Sequence, residues 1–143
     1  MRLEWILLAE GASTNAVGSV TAISINSNVL ATPTLPVSTK RVVIMHFVGE
    51  AGEAAELDGR DITVSVRVLS PTGDPILAHS ANGRFQAPTW PELPSGLDIV
   101  VEMPLRITEY GVHDIAVTAQ ANDKITLEGR TQLYVMESPV PNS

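Results

Sequence analysis

A strict alternation of apolar and polar positions marks residues 61–69. Every second side chain in this segment is a branched aliphatic one, and the residues between them are mostly polar or charged. Because successive side chains of a strand point to opposite faces, this pattern predicts a half-buried strand. The face predicted to point inward consists of Ile62, Val64, Val66 and Val68.

The segment that follows predicts a β-hairpin. Residues 70–75 read Ser-Pro-Thr-Gly-Asp-Pro, and proline, glycine and aspartate supply the backbone angles of a short reversal. A second apolar run begins at Ile76, and the segment ends near Asn82 and Gly83. Two strand-like runs joined by such a turn are typical of a hairpin.

Six further segments carry strand-like patterns. The first is a nearly continuous apolar run, which fits a strand covered on both faces, although a short buried helix has the same signature. One of them, which includes His46, is apolar on most of both faces, and this favours a central strand. In another, Pro104 cannot donate a ladder hydrogen bond, which predicts a strand end or a sheet edge. Gly129 indicates a bulge in the last strand. The six segments are residues 2–10, 19–26, 41–48, 97–106, 112–119 and 125–136.

About eight strands and no amphipathic helical stretch predict an all-β fold, arranged as an antiparallel two-sheet β-sandwich. A small β-barrel is the alternative. The segments between the strands are polar, acidic or rich in proline, so we expect them to be loops. We expect a single domain over residues 1–136 and a flexible tail over residues 137–143. The predicted loops are residues 11–18, 27–40, 49–61 and 83–96.

Composition narrows the classes of function. Hydrophobic residues make up 44% of the chain and charged residues 17%, which suits a packed core. The net charge of -7 opposes binding to nucleic acid, and no stretch approaches the roughly 20 apolar residues of a membrane-spanning helix. Cysteine is absent, which excludes disulfides and thiolate chemistry. We expect a cytoplasmic protein that neither binds nucleic acid nor inserts into membranes.

The order of these features resembles a family of small bacterial proteins known only as a domain of unknown function. The resemblance implies an immunoglobulin-like β-sandwich, and it implies no activity and no catalytic residue. The acidic segment at residues 50–56 and the segment at residues 85–90 lie outside the family pattern. The motifs that carry the resemblance are Leu-Leu-Ala-Glu at residues 7–10, Gly59 and Arg60 ahead of the hairpin, the turn at residues 71–75, and residues 105–115 with Tyr110 and Gly111.

The three histidines, His46, His79 and His113, are the candidates for a metal ligand or a general base. They fall on three different predicted strands, and no short histidine spacing brings two of them together. Asp114 follows His113 directly, but neighbours in a strand point to opposite faces, so the two do not form part of a triad. No Gly-x-Ser-x-Gly or phosphate-binding glycine motif is present. We therefore expect no metal, no cofactor and no catalytic residue.

An acidic loop covers residues 50–61. Its carboxylates are hard oxygen ligands of the kind that calcium prefers, although the ordered spacing of an EF-hand is missing. A solvated loop is the simpler interpretation, and a calcium site is the alternative. The acidic residues are Glu50, Glu53, Glu56, Asp58 and Asp61.

Two features suggest an interaction surface. Rigid aromatic side chains in a proline-rich loop can anchor an interface, although Trp90 could instead plug one end of the core. The strand at residues 112–119 has neither proline nor lysine to discourage pairing, so if it lies at an edge we expect it to pair with a copy of itself or with a partner strand. The candidate contact residues are Phe85, Trp90, His113, Ile115 and Val117.

Three hypotheses of function follow. The leading one is a non-enzymatic interaction or structural module, with self-association or a protein partner. The alternative is a small-molecule or carbohydrate-binding module that uses the loop from Phe85 to Trp90. The third hypothesis is an enzyme, and it ranks last because no sequence motif supports a reaction.

Overall fold

The protein is all β in the part that the computed structural model describes, and this part contains ten strands and no helix. The described residues are 1–14, 19–49, 58–86, 90, 92–121 and 125–139. The strands are β1 (Arg2–Ala9), β2 (Gly11–Thr14), β3 (Val20–Ile23), β4 (Val29–Thr32), β5 (Val37–Gly49), β6 (Asp61–Leu69), β7 (Pro75–Arg84), β8 (Ser95–Ile107), β9 (Gly111–Ala121) and β10 (Ile125–Glu137).

The strands form three sheets. The largest has the order β4-β10-β9-β6-β7 and curls into a half-barrel, the second has the order β1-β5-β8, and β2 and β3 form a small hairpin. All pairings are antiparallel except that of β4 with β10, which is parallel. The prediction of an all-β fold is confirmed, with ten strands in place of about eight.

The predicted hairpin is confirmed as β6 and β7, which pair antiparallel from Asp61 to Leu69. The four aliphatic side chains predicted to face inward are fully buried. The turn between the strands is closed by the amide of Ser70, which donates to the carbonyl of Asp74 at 2.8 Å, and by the amide of Gly73, which donates to the carbonyl of Ser70 at 2.9 Å. Gly73 has a φ of 89°, a conformation that glycine adopts without strain.

The core lies between the two larger sheets. Strand β6 contributes its four inward side chains to one continuous cluster, and β1, β8, β9 and β10 contribute further side chains. Strand β5 adds its inner face to the same cluster, namely Val43, Met45 and Phe47.

Strand β5 is buried on its other face as well. Val42 and Ile44 form a second, smaller cluster with Ala9, and side chains of the β2–β3 hairpin pack over it. The hairpin is therefore a third layer that covers the outer face of the three-stranded sheet. The prediction that residues 41–48 form a central strand is confirmed, since β5 lies between β1 and β8.

Two glycines lie where one of the larger sheets approaches side chains of the other. A Cβ on Gly129 of β10 would lie 2.5 Å from Ile6 of β1, and a Cβ on Gly83 of β7 would lie 2.9 Å from Ile99 of β8. The predicted bulge at Gly129 is wrong, because the register of β10 with β9 continues through it without a shift. The glycine admits the side chains of β1.

Strands β2 and β4 occupy segments that were predicted to be loops. Each has four residues, and their small or mixed side chains give no clear alternation. Strand β5 also begins at Val37, ahead of the predicted start at residue 41. Short strands of this kind are specified by the neighbour they pair with rather than by their own pattern. Residues 15–18 of the predicted first loop fall outside the described part.

Two predictions at strand ends and edges have different outcomes. Pro104 lies within β8, which is an edge strand of its sheet, so its predicted edge position is confirmed. The first strand was predicted to be covered on both faces, but β1 is buried on both faces only at Leu8 and Ala9. At the other end of the chain, where a flexible tail was predicted over residues 137–143, β10 runs to Glu137 and the amide of Ser138 donates to the carbonyl of Thr32 at 3.1 Å. Residues 140–143 of the predicted tail fall outside the described part.

Val66→Asp tests the inward face of the hairpin. Val66 is fully buried, so the substitution places an unpaired carboxylate in the core and should cost at least about 4 kcal/mol, enough to unfold many domains. Ser65→Asp is the matched control, because Ser65 is exposed on the opposite face of the same strand. Melting followed by circular dichroism should show loss of the native transition for Val66→Asp alone. A Val66→Asp protein that melts with the parent would contradict the assigned face.

Candidate functional site

The two aromatic residues of the proline-rich segment have opposite surroundings. Phe85 is fully buried, and its backbone pairs with Gly59 and Arg60 just ahead of β6. Trp90 is 61% exposed and lies at a turn in which the amide of Leu93 donates to its carbonyl at 3.0 Å. The interpretation of Trp90 as a plug of the core is therefore wrong, and Phe85 packs in the core instead. Residues 87–89 and 91 of this loop fall outside the described part.

The strand predicted to pair at an edge is an interior strand. Strand β9 lies between β10 and β6 and is hydrogen-bonded to both. Its candidate contact residues His113, Ile115 and Val117 are each at most 1% exposed and belong to the inner face. They cannot contact a partner of the folded protein. The absence of proline and lysine from this strand fits its interior position, because only edge strands need such residues to prevent pairing.

A polar cluster that the sequence did not predict surrounds His46 on the outer face of the three-stranded sheet. Asp98 lies directly opposite on β8, and its Oδ1 is 2.6 Å from His46 Nδ1. On the other side of the ring, Nε2 is 3.6 Å from Glu4 Oε2. The indole of Trp5 stacks on the imidazole, with ring centroids 5.0 Å apart. Because His46 and Asp98 are 52 residues apart in the chain, only the β5–β8 register brings them together.

The chemistry available at His46 is limited by these neighbours. A histidine oriented by an aspartate is the base of a hydrolytic triad, but the second nitrogen must then face a nucleophile. Here that nitrogen meets the Glu4 carboxylate. Within the described ranges, no group of three histidine, cysteine, aspartate or glutamate residues could hold a metal ion.

The other two histidines are separate from this cluster. His79 is exposed on β7, and buried His113 on β9 has its Nδ1 3.3 Å from the carbonyl of Gly111. The prediction that the three histidines lie on different strands is confirmed. Asp114 points to the opposite face from His113, as predicted, and accepts a hydrogen bond from Gln132 Nε2 at 3.2 Å.

The acidic segment is only partly within the described residues, because residues 50–57 lie outside them. Of the carboxylates proposed to bind calcium, Asp61 forms an ion pair with Arg84, with its Oδ1 2.9 Å from Nε. The hydrogen bond and the charge of Arg84 hold the pKa of Asp61 below its usual value. Asp61 therefore already has a cation partner.

An exposed apolar row crosses the end of the five-stranded sheet next to β4. Val29 pairs with Tyr134, and Tyr134 pairs with Val112, so three strands contribute one side chain each. Met136 follows Tyr134 on the same face and pairs with Ala31. We call Val29, Ala31, Val112, Tyr134 and Met136 the β4 surface. The exposed fractions are 56% for Val29, 39% for Val112, 42% for Tyr134 and 57% for Met136.

Strand β4 is also an open edge. The carbonyl of Asn28 accepts a hydrogen bond from the amide of Tyr134 in β10, and the carbonyl of Thr32 accepts one from the amide of Ser138 just after β10. In a strand, the amide and carbonyl of one residue point to the same side, and those of the next residue point to the opposite side. The backbone groups of Leu30 therefore point toward β10, and those of Val29 and Ala31 point away from the sheet at its open edge. The amide and carbonyl groups of these two residues have no partner in the described chain.

Side-chain hydrogen bonds hold β4 in place. Asn28 Nδ2 donates to the carbonyl of Gln132 at 2.7 Å, and Tyr110 Oη donates to the carbonyl of Thr32 at 3.1 Å. Just before the strand, the buried Arg41 donates from Nε to the carbonyl of Ser27 at 3.3 Å. The open edge is thus anchored at both of its ends.

No protein-family model and no curated protein sequence matches this chain. The resemblance to a bacterial family of unknown function therefore stays a prediction. Among the residues that the structure describes, no helix could span a membrane.

A double-mutant cycle tests the contact of His46 with Asp98. With both side chains about one-quarter exposed, we expect a coupling of about 0.5–1 kcal/mol in the free energy of unfolding for His46→Ala with Asp98→Asn. The matched control is the pair Lys40 and Glu102, whose charged atoms are 3.5 Å apart on more exposed side chains. Urea denaturation measures both couplings. A coupling at His46 no larger than that of the control pair would contradict the assigned geometry.

The anchor at Tyr110 predicts an alkaline pH dependence of stability. Desolvation, with a smaller contribution from the Glu137 carboxylate, raises the pKa of Tyr110 above its usual value of 10.0. The stability that the neutral phenol contributes is fully present below that unfolded value and is lost as the pH rises through the folded pKa. Urea denaturation at a series of alkaline pH values should show a steeper loss for the parent than for Tyr110→Phe.

The control for this titration is Tyr134→Phe, which removes an exposed hydroxyl that donates to Gln132 at 2.8 Å. Equal slopes for the parent and Tyr110→Phe would show that Tyr110 does not contribute to the pH dependence.

Proposed function

We propose that this protein is a non-enzymatic interaction module that associates with a second copy of itself through the β4 surface. The observation that carries the proposal is the coincidence of an exposed apolar row with a strand edge that has no partner among the described residues. Contiguous apolar side chains at a protein surface mark interaction sites. An open strand edge offers backbone donors and acceptors to another strand.

The position of the other edges favours β4 as the contact. In the five-stranded sheet the opposite edge, β7, packs against β8 of the second sheet, and β1 packs against β10. Both edges of the three-stranded sheet therefore lie against the larger sheet. Strand β4 lies next to β10 at the edge of the five-stranded sheet. The main contacts of β1 with this sheet are made with β10 and not with β4.

A second copy fits this edge by symmetry. Two β4 strands that pair antiparallel about a two-fold axis form an isologous interface, in which each copy contributes the same groups. Only Val29 and Ala31 direct backbone groups outward, so few interchain hydrogen bonds can form. The apolar row beside them, centred on Tyr134, then supplies the remaining stabilisation through burial of its side chains.

The non-enzymatic part of the proposal is supported by the contacts of His46. Both of its ring nitrogens face carboxylates, and Trp5 covers one face of its ring. The Glu4 carboxylate lies beside the Nε2 atom, where a triad would place its nucleophile. A structural role of the cluster on the outer face of the sheet accounts for these contacts.

At the level of the fold, we propose an immunoglobulin-like sandwich formed by the two larger sheets. Support comes from the main core cluster, to which β5 and β8 of one sheet and β6, β9 and β10 of the other contribute side chains. The alternative fold is a small barrel, and the curl of the five-stranded sheet into a half-barrel is the feature that favours it.

A second candidate function is a small-molecule or carbohydrate-binding module at Trp90. The observation that favours it is the exposure of Trp90 at a turn that also exposes Leu93. An exposed indole offers a flat apolar face to a ligand. Phe85 takes no part in this version, because it is buried.

Ala31→Pro tests the self-association. Ala31 directs its amide outward, so proline removes an interchain donor without removing a hydrogen bond to β10. Ala31→Ser is the matched control, since it retains the amide. Light scattering on size-exclusion peaks should show a dimer for the parent and for Ala31→Ser at high micromolar concentration, and a folded monomer for Ala31→Pro.

Tyr134→Ser tests the apolar row in the same measurement. It should weaken the dimer while leaving the fold intact, because Tyr134 is exposed in the monomer. Thr126→Ser, at an exposed position on the same face of β10, should leave the dimer unchanged. A parent that stays monomeric at high micromolar concentration would contradict self-association through β4.

A further inference from the structure

A cavity of about 320 Å³ opens on the outer face of the five-stranded sheet, the face that also carries the β4 surface. It lies over the middle of β6, β9 and β10. This volume is at the lower end of the range for small-molecule sites. The residues that line it are Arg67, Ala116, Val117, Glu128, Gly129 and Arg130.

The strand register places two arginines on opposite sides of the cavity. Arg67 of β6 pairs with Ala116 of β9, and Ala116 pairs with Arg130 of β10. The three residues therefore form one row, in which the backbones of the two arginines are about 10 Å apart because adjacent strands are about 4.8 Å apart. The small side chain of Ala116 between them leaves the space open.

Neither arginine has a carboxylate partner among the described residues. Neither Arg67 nor Arg130 forms an ion pair or a side-chain hydrogen bond to any described residue. Arg84, in contrast, pairs with Asp61. In a chain of net charge -7, two unpaired guanidinium groups at one cavity form a local positive site.

Glu128 gives the cavity a third charged group. It lies two residues before Arg130 on β10, so both side chains project from the same face. The cavity thus presents two cations and one carboxylate. A guanidinium donates paired hydrogen bonds to an oxyanion, and a carboxylate accepts a hydrogen bond from a neighbouring donor.

We propose that this cavity binds a small oxyanion ligand, one whose carboxylate or phosphate group is held between Arg67 and Arg130. Glu128 accepts a hydrogen bond from a hydroxyl or ammonium group next to the anionic group. A ligand of this class carries both an acid group and a donor on an adjacent atom. The site is independent of the proposed self-association, because the β4 surface shares no residue with it.

Nuclear magnetic resonance titrations of the ¹⁵N-labelled full chain test the proposal, with glycolate, acetate and inorganic phosphate as probes at constant ionic strength. The amides of Ala116, Val117 and Gly129 should shift saturably with glycolate or phosphate. Glycolate should bind more tightly than acetate, because only glycolate has a hydroxyl beside its carboxylate. Comparison of the dissociation constants of glycolate and phosphate shows whether the site prefers a carboxylate or a phosphate group.

Variants separate a specific site from general attraction of anions. Arg67→Gln and Arg130→Gln should each weaken binding about tenfold or more, as expected for loss of a charge-assisted hydrogen bond. Arg106→Gln is the matched control, since Arg106 is exposed on β8 in the other sheet, and it should have no effect.

Two results would overturn the proposal. One is the absence of saturable shifts at the cavity with both glycolate and phosphate. The other is binding that Arg67→Gln and Arg130→Gln leave unchanged, or that Arg106→Gln weakens equally. Circular dichroism of each variant establishes that it is folded, and Arg67 and Arg130 are exposed, so neither substitution disturbs the core.

Discussion

Burial of both faces of β5 is the constraint on which the rest of the structure depends. A strand with apolar side chains on both faces needs a layer on each side. The five-stranded sheet covers Val43, Met45 and Phe47, and the β2–β3 hairpin covers Val42 and Ile44. Three layers therefore follow from one segment of the sequence. The outer cover is small, so the face beyond Ile44 remains open, and the polar cluster around His46 lies there.

The unequal sizes of the two larger sheets explain where an interaction surface can lie. The close approaches at Gly83 and Gly129 bring β7 against β8 and β1 against β10. The sheet of β1, β5 and β8 then covers the inner faces of β10, β9, β6 and β7. Strand β4 lies beyond these four strands and pairs parallel with β10. Its inward side chain, Leu30, packs against the core, while Val29 and Ala31 face outward. Strand β4 thus adds a side chain to the core and is at the same time the open edge of its sheet.

The sequence predicted the elements whose side chains alternate over many residues. The hairpin face from Ile62 to Val68 and the two faces of β5 were correct, because burial on a fixed face enforces period two. Strands β2 and β4 are too short to show a period. The contact of His46 with Asp98 depends on the register of two distant strands. The burial of Phe85 and the exposure of Trp90 depend on how the chain leaves β7, which composition does not specify.

The most direct test of association through the β4 surface is a dilution series of the parent protein in which amide chemical shifts are measured. Association through the β4 surface predicts that the amides of Val29 and Ala31, which face the open edge, shift most between high and low concentration. Smaller changes should extend to Tyr134 and Met136, and the amides of β7 and β8 should stay constant. Concentration-dependent shifts confined to β7, β8 or the region of Trp90 would contradict association through the β4 surface, as would the absence of any shift.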